Sequence, residues 1–321
     1  MEDFPSLFIE RFKKIFPHSS ADSIYGSFVN EKVLSVRVNT IKMKRDDLIK
    51  ILRERDIRFQ SLSWFADVFL LISAGPIEDL IDKGLIYVQN PSSVLVALIL
   101  DPQPGENILD MCAAPGSKAT LMAALMNNEG RVRCLENIRK RFYKLRSVVQ
   151  CLGAANIDIR LIDGRRYNVK SPDDFFDRIL VDASCSCEGR FRVSDKKSYA
   201  YWSLRKIKEM AHKQKGLLLN AARLLKPGGT LVYSTCTLAP EENEAVIDWV
   251  LRKTKGPHKD QSRWHLELVP VTLEQVKTYP VVLEWEKRIF DPNIRHCRRI
   301  LPDEVMDAFF VAKLMKIEDE R

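Results

Sequence analysis

The sequence predicts an α/β fold: a doubly wound, mostly parallel sheet with helices on both faces and a smaller α/β unit in front of it. Three observations predict this. Four strand-like runs each finish at or just before a carboxylate, helical stretches separate them, and a loop of small residues follows the first run. The 321 residues, 45% hydrophobic and 29% charged, suffice to bury a full-sized core.

Residues 1–85 read as an accessory region. An N-terminal helix precedes LSVRVN (34–39), a helix over DDLIKILRERD (46–56) and the apolar run WFADVFLLI (64–72). Phe59, Trp64, Phe65 and Phe69 are candidates for stacking on bases, although aromatic residues on short strands more often belong to a core.

Residues 86–321 carry the main pattern. The runs NILDM (107–111), RVRCLE (131–136), IDIRLID (157–163) and RILVD (178–182) present Asp110, Glu136, Asp163 and Asp182 at their ends. SKATLMAALMNN follows the first run and NIRKRFYKLRSVVQCLG the second, the latter stopped by Gly153. In a parallel sheet the ligand crevice lies beyond the carboxyl ends of the strands, so the four acids are expected along one rim. KTKGPHKDQSR (253–263) reads as an exposed loop within this domain.

The loop after the first run is Cys112, Ala113, Ala114, Pro115, Gly116, Ser117 and Lys118. Small residues there let the backbone approach a ligand, and the following helix offers unpaired N–H groups. The loop is neither a Walker phosphate loop nor a GxGxxG turn. Glu136 lies 20 residues beyond Gly116, a separation suited to accepting hydrogen bonds from ribose hydroxyls. A nucleoside-bearing cofactor without a pyrophosphate fits this pair.

The formal net charge of +8 comes from short clusters, among them Lys42, Lys44 and Arg45, Arg139 to Arg141, Lys196 and Lys197, Arg205, Lys206 and Lys208, and Arg295, Arg298 and Arg299. Each reads as a solvated face, and together they permit a polyanionic partner. No apolar run approaches the roughly 18 to 20 residues that cross a bilayer, and acids and bases interrupt the first apolar residues. Seven cysteines, unevenly spaced and odd in number, do not form a disulfide framework. A reducing, cytoplasmic location and a monomer are expected. No CxxC pair occurs, and Cys185 with Cys187 alone offers too few ligands for zinc, so no metal is expected.

VQNPSS, LDMCAAPGSK, the Glu136 and Arg141 pair, the Asp163 turn, DASCSCEGRFR, LLKPGGTLVYSTCTLAPEENE, RILP and DAFFVAKL follow one another from about residue 31 onward. In this order they resemble the RNA cytosine-5 methyltransferases of the RsmB/NOL1/NOP2/sun family. The resemblance implies a class I methyltransferase fold with a seven-stranded sheet, a ferredoxin-like N-terminal domain, S-adenosylmethionine as cofactor and RNA as substrate, either tRNA or rRNA.

It also implies roles. Cytosine C5 is a poor nucleophile, so a thiolate first adds to C6 and the resulting enamine attacks the methyl group. By position Cys236 is the nucleophile and Cys185 assists release of the product. Asp182 is expected to hydrogen-bond or protonate N3, which requires a carboxyl that is protonated or shares a proton, a state that burial favours by raising its pKa. Lys118 is expected to contact the base, Glu136 the ribose and Asp163 the adenine end. The sequence around Cys236 reads as a strand followed by a helix from Pro240, with Glu241, Glu242 and Glu244 outside the pocket and stabilising the helix N-terminus. The target cytidine must be single-stranded or flipped out, because a stacked base exposes neither C5 nor C6 suitably.

Two departures stand out. Where the family has DAPCSG the chain reads DASCSC, with Ser184 for proline and Cys187 for glycine, so a differently shaped loop is expected, with Cys187 either a substitute for Cys185 or a bystander. Ala308 replaces a glycine without evident chemical consequence. The altered loop keeps open a catalytically silent RNA-binding assembly factor, and a methyltransferase acting on DNA or a small molecule is the other alternative.

Overall fold

The computed structural model describes residues 3–16, 21–171, 174–255 and 264–318. Most of the loop expected at 253–263 lies outside them. Two helices come first, α1 (Ser6–Ile15) and α2 (Ala21–Val29). Their aromatic faces do not cover the small sheet that follows. Phe4, Phe8, Phe12, Phe16 and Phe28 are buried in one cluster with Phe191, Leu238 and Ala308, so both helices clasp the main domain.

The accessory sheet is built from β1 (Leu34–Val38), α3 (Arg45–Glu54), β2 (Phe59–Ser61), β3 (Val68–Leu71), α4 (Glu78–Asp82) and β4 (Ile86–Val88). The strand order is β2-β3-β1-β4, and every pair is antiparallel. The expected boundary at residue 85 falls immediately before β4. Phe69 is fully buried with its ring 5.5 Å from that of Phe59, while Trp64 and Phe65 pack on the core of the main domain. Only Phe69 is closed off; Phe59, Trp64 and Phe65 keep part of their surface exposed.

The main domain continues with α5 (Pro91–Leu100), β5 (Asn107–Asp110), α6 (Ser117–Leu125), β6 (Arg131–Glu136), α7 (Arg139–Leu152), β7 (Ile157–Leu161), β8 (Phe176–Asp182), α8 (Leu204–Leu224), β9 (Leu225–Thr235) and α9 (Glu244–Thr254). After these come β10 (Trp264–Val269), β11 (Thr278–Tyr279), β12 (Glu284–Trp285), β13 (Arg288–Ile289), β14 (Arg298–Ile300) and β15 (Phe309–Glu318). Local chemistry sets several ends. The Asn90 side chain accepts from Ser92 N–H ahead of Pro91 at the start of α5, Ser203 does the same for Lys206 N–H in α8, and Gly153 closes α7 at φ 71°.

The large sheet runs β11-β14-β15-β9-β8-β5-β6-β7, with β10 also on β15. Strands β7, β6, β5, β8 and β9 are mutually parallel, and β15 is antiparallel to β9. With β15 and β10 they form the expected seven-stranded class I sheet. The short β11 and β14 extend it to nine. Parallel register brings Asp110 beside Leu180 and Asp182 beside Ser234, so the carboxyl ends of β5, β8 and β9 open onto one place.

One expected boundary is corrected. A helix does not begin at Pro240; residues 240–243 form a turn and α9 starts at Glu244. Glu242 and Glu244 are fully buried rather than displayed at a helix terminus. Arg299, read as part of a solvated cluster, is buried too, and its guanidinium grips both oxygens of Glu244 at 2.7 and 2.6 Å.

Candidate active site

Two adjoining cavities lie over the carboxyl ends of the central strands. The first, about 450 Å³, is lined by Lys118, Asp182, Cys185, Cys187, Arg190 and Cys236 and also by Tyr87, Gln89 and Ser93. The second, about 330 Å³, contains Glu136, Asp163 and Arg165 among the apolar side chains of Met111, Ile138, Ile162, Met210 and Leu217. Cys112, Arg141, Ser184 and Cys185 line both.

Cys236 follows β9 and Cys185 follows β8, and adjacency of these strands sets their Sγ atoms 3.3 Å apart. Cys187 Sγ lies 3.8 Å from Cys185 Sγ, and all three sulfurs fall within 4.8 Å of one another. Cys187 holds φ 61°, the left-handed conformation in which glycine is free of strain, so the loop keeps a glycine-like turn without glycine.

The three thiols titrate together. The S–H groups of Cys185 and Cys236 hydrogen-bond Cys187 and push its thiol down. Donation to Cys187, the contact with Cys236 and burial lift Cys185 well above an ordinary thiol. The Cys185 S–H draws Cys236 down, but Cys236's own donation to Cys187, its burial and the Cys187 charge outweigh this and raise it, with Arg190 opposing. Of the three sulfurs, Cys187 is the one these contacts make most acidic. The neighbours of the Cys236 sulfur are other sulfurs, not helix N–H groups.

Opposite the sulfurs, Lys118 Nζ lies 2.7 Å from Asp182 Oδ2 and donates to Ser93 Oγ at 2.7 Å. Ser234 Oγ donates to the other Asp182 oxygen at 2.8 Å, and the Lys118 ammonium stands 5.4 Å from the centre of the Phe309 ring. A buried cation with a carboxylate and a hydroxyl for partners has little freedom to move. The group facing this cavity is thus a Lys118–Asp182 pair. The carboxyl that burial pushes up, to about 7, is Asp110, which accepts from Cys112 N–H at 3.1 Å.

Glu136 and Asp163 meet in the second cavity. Glu136 Oε1 accepts from the N–H groups of Asn137 and Ile138 at 2.9 and 2.8 Å, and Arg141 Nη1 lies 3.3 Å from Oε2. Asp163 is held below the usual carboxylate range by its hydrogen bonds from Arg165. Cys112, Ala113, Ala114, Pro115, Ser117 and Lys118 line the first cavity, but Gly116 does not. Its φ of 112° serves packing: a Cβ there would come within 3.0 Å of Leu145 and 3.2 Å of Val148 on α7.

Buried acids on both sides of Cys236 in the chain brace the thiol loops. Glu242 accepts from Ser186 N–H at 3.1 Å and Gln214 Nε2 at 2.8 Å, and burial pushes it up to about 8. Glu188, also buried, takes Trp202 Nε1, Thr237 Oγ1 and Leu238 N–H. Gly189 N–H donates to Cys236 C=O at 2.9 Å. Sequence reasoning gave no role to Tyr87, Gln89, Ser93 or Arg190. VQNPSS did contain a signal, since a capped helix start directly after a strand aims its first turn at the sheet's rim.

Residues 97–315 match the family described as 16S rRNA methyltransferase RsmB/F, and residues 4–78 match the ferredoxin-like domain of RsmF/B-like methyltransferases. The chain is 36% identical over 313 residues to a tRNA (cytosine(49)-C(5))-methyltransferase of Pyrococcus abyssi, covering 96% of this chain and 95% of that one. It is 36% identical over 325 residues to the ribosomal RNA small subunit methyltransferase F of Escherichia coli, covering 98% of this chain but 64% of the longer bacterial protein. A crystal structure of a methyltransferase homolog from Pyrococcus horikoshii superimposes with a TM-score of 0.81 at 31% identity, covering 97% of this chain and 95% of its own.

Proposed function

Since the chain belongs to the RsmB/F family of RNA methyltransferases, we propose that it methylates C5 of a cytosine in RNA through a covalent adduct between Cys236 and C6. The observation that carries this reading is the pair of sulfurs 3.3 Å apart in a cavity whose other wall is the Lys118–Asp182 ion pair. S-adenosylmethionine supplies an electrophilic methyl group when bound. The second cavity suits its nucleoside end, because a buried carboxylate at Glu136 and the apolar side chains of Met111, Ile138, Ile162 and Leu217 match a ribose and an adenine ring.

The chain's own groups then divide the work. The Cys236 sulfur forms a bond to C6, its proton leaving within the cluster, and the electrons of the 5,6 double bond move into the ring. Negative charge grows on the N3 and O2 side, which the Lys118 ammonium is held to meet. After C5 has gained the methyl group, Cys185, its own proton first given up to water, takes the C5 proton as a thiolate, the double bond reforms and the Cys236 thiolate departs. Ser93 and Asp182 keep Lys118 in place. A stacked base exposes neither C5 nor C6 suitably, so the target nucleotide is flipped out or unpaired.

Transfer of labelled methyl from S-adenosylmethionine to tRNA, to small-subunit rRNA and to a DNA of equal sequence tests this. Label at C5 of cytosine in either RNA, absent with DNA, supports the reading and names the substrate. No transfer to any RNA leaves a silent RNA-binding protein.

A further inference from the structure

The two-cysteine reaction uses Cys236 and Cys185, and it leaves a third sulfur, Cys187, without a task. That sulfur sits on a strained left-handed residue at φ 61° and is aimed at the other two. All three cysteines line the cavity, and their Sγ atoms lie within 4.8 Å of one another.

We propose that Cys185, Cys187 and Cys236 bind one zinc ion, and that the ion holds the enzyme inactive by occupying the nucleophile. With Zn–S bonds of about 2.3 Å, tetrahedral coordination sets its sulfurs about 3.8 Å apart. Cys185 and Cys187 meet that value at 3.8 Å, and Cys185 and Cys236, at 3.3 Å, need only move slightly apart. Each site sulfur still carrying a proton gives it up to water as its Zn–S bond forms. The fourth position faces the cavity and is filled by water. Three thiolates leave the complex with one negative charge, and Arg190, on the same cavity wall, is placed to balance it. Hard cations such as Mg²⁺ prefer oxygen ligands and are excluded by the sulfur set.

Metal binding stands independently of the methyl-transfer reading; the inhibition rests on it. Reduced, metal-stripped full-length protein is titrated with Zn²⁺ against a chromophoric chelator, alongside Cys187→Gly, Cys187→Ser and a Cys151→Ser control. Methyl transfer is followed over the same free Zn²⁺, each protein being normalised to its own rate in EDTA. The expected result is one Zn²⁺ per chain for wild type and Cys151→Ser, with affinity at least about tenfold weaker in both Cys187 variants. Inhibition of wild type shifts to correspondingly higher Zn²⁺ in those variants. Cys187→Gly removes the strained residue, so loss of binding there is not a folding defect. Wild type that fails to compete for Zn²⁺, or Cys187 variants that bind as tightly, overturns the proposal. Cys187-dependent binding in a protein with no methyl transfer even in EDTA keeps the metal site and removes the assigned reaction.

Discussion

Cys185 Sγ stands 3.3 Å from Cys236 Sγ although 51 positions separate them, because parallel strands β8 and β9 pair Asp182 with Ser234 and release both cysteines at the same edge. The separation leaves no room for a base between the sulfurs, so one attacks and the other serves from beside it. Cys236→Ala is expected to abolish methyl transfer, and Cys185→Ala to accumulate RNA joined to protein. A denaturing gel of labelled RNA reads both. Retained transfer in Cys236→Ala with loss in Cys185→Ala would reverse the roles.

Lys118 is held from two sides, by Asp182 and by Ser93. Ser93→Ala removes a hydrogen bond to a buried ammonium, and turnover is expected to fall about tenfold, the effect of losing ~1.5 kcal/mol of positioning. Gln89 and Arg37 extend the chain toward the accessory sheet, with Gln89 Nε2 3.4 Å from Ser93 Oγ and Arg37 Nε 3.0 Å from Gln89 Oε1. Single-turnover kinetics and thermal melting distinguish misplacement of Lys118 from unfolding. An unchanged rate constant in Ser93→Ala would show that Asp182 alone suffices.

Glu244 and Arg299 form a fully buried ion pair, and Arg299 Nη1 also satisfies the Leu238 carbonyl at 2.9 Å. Removing one partner strands the other charge out of water. Arg299→Ala is expected to destabilise the protein by about 3–5 kcal/mol, read by denaturant unfolding. A loss below about 1 kcal/mol would mean that water reaches the site.

Burial raises Glu242 from 4.5 to about 8 and Asp110 from 3.8 to about 7. A raised folded pKa means that the folded state binds more protons than the unfolded one. The stability from Glu242 is fully present below pH 4.5 and is lost as pH rises through about 8. The melting temperature is therefore expected to fall between pH 6 and 9, and Glu242→Gln, a mimic of the protonated acid, is expected to flatten that slope. Parallel curves for both proteins would assign the dependence elsewhere.

Much of the fold was legible because strand and helix periods are local. The runs ending at Asp110, Glu136 and Asp182 became β5, β6 and β8, and Gly153 closes α7 as its position suggested. PEENE was misread for an equally physical reason. Acids after a strand look like a solvated helix start until their partners are known, and Arg299 lies 55 residues beyond Glu244. Gly116, read as a ligand-side glycine, also leaves no space for a side chain against α7, a contact that the loop sequence does not announce.

By itself the sequence determined the α/β class, the small-residue loop, the strand-end acids and, through its motifs, the family. Hydrophobic period, turn chemistry and short motifs are written within a few residues, so no long-range contact is needed to read them. Only the tertiary structure decided that Cys187 joins Cys185 and Cys236, that Ser93 and Asp182 share Lys118, and that Glu242 supports the thiol loop from within. Each depends on which strands are neighbours and in what register, and that choice is made by burial of the whole core rather than by any single stretch of chain.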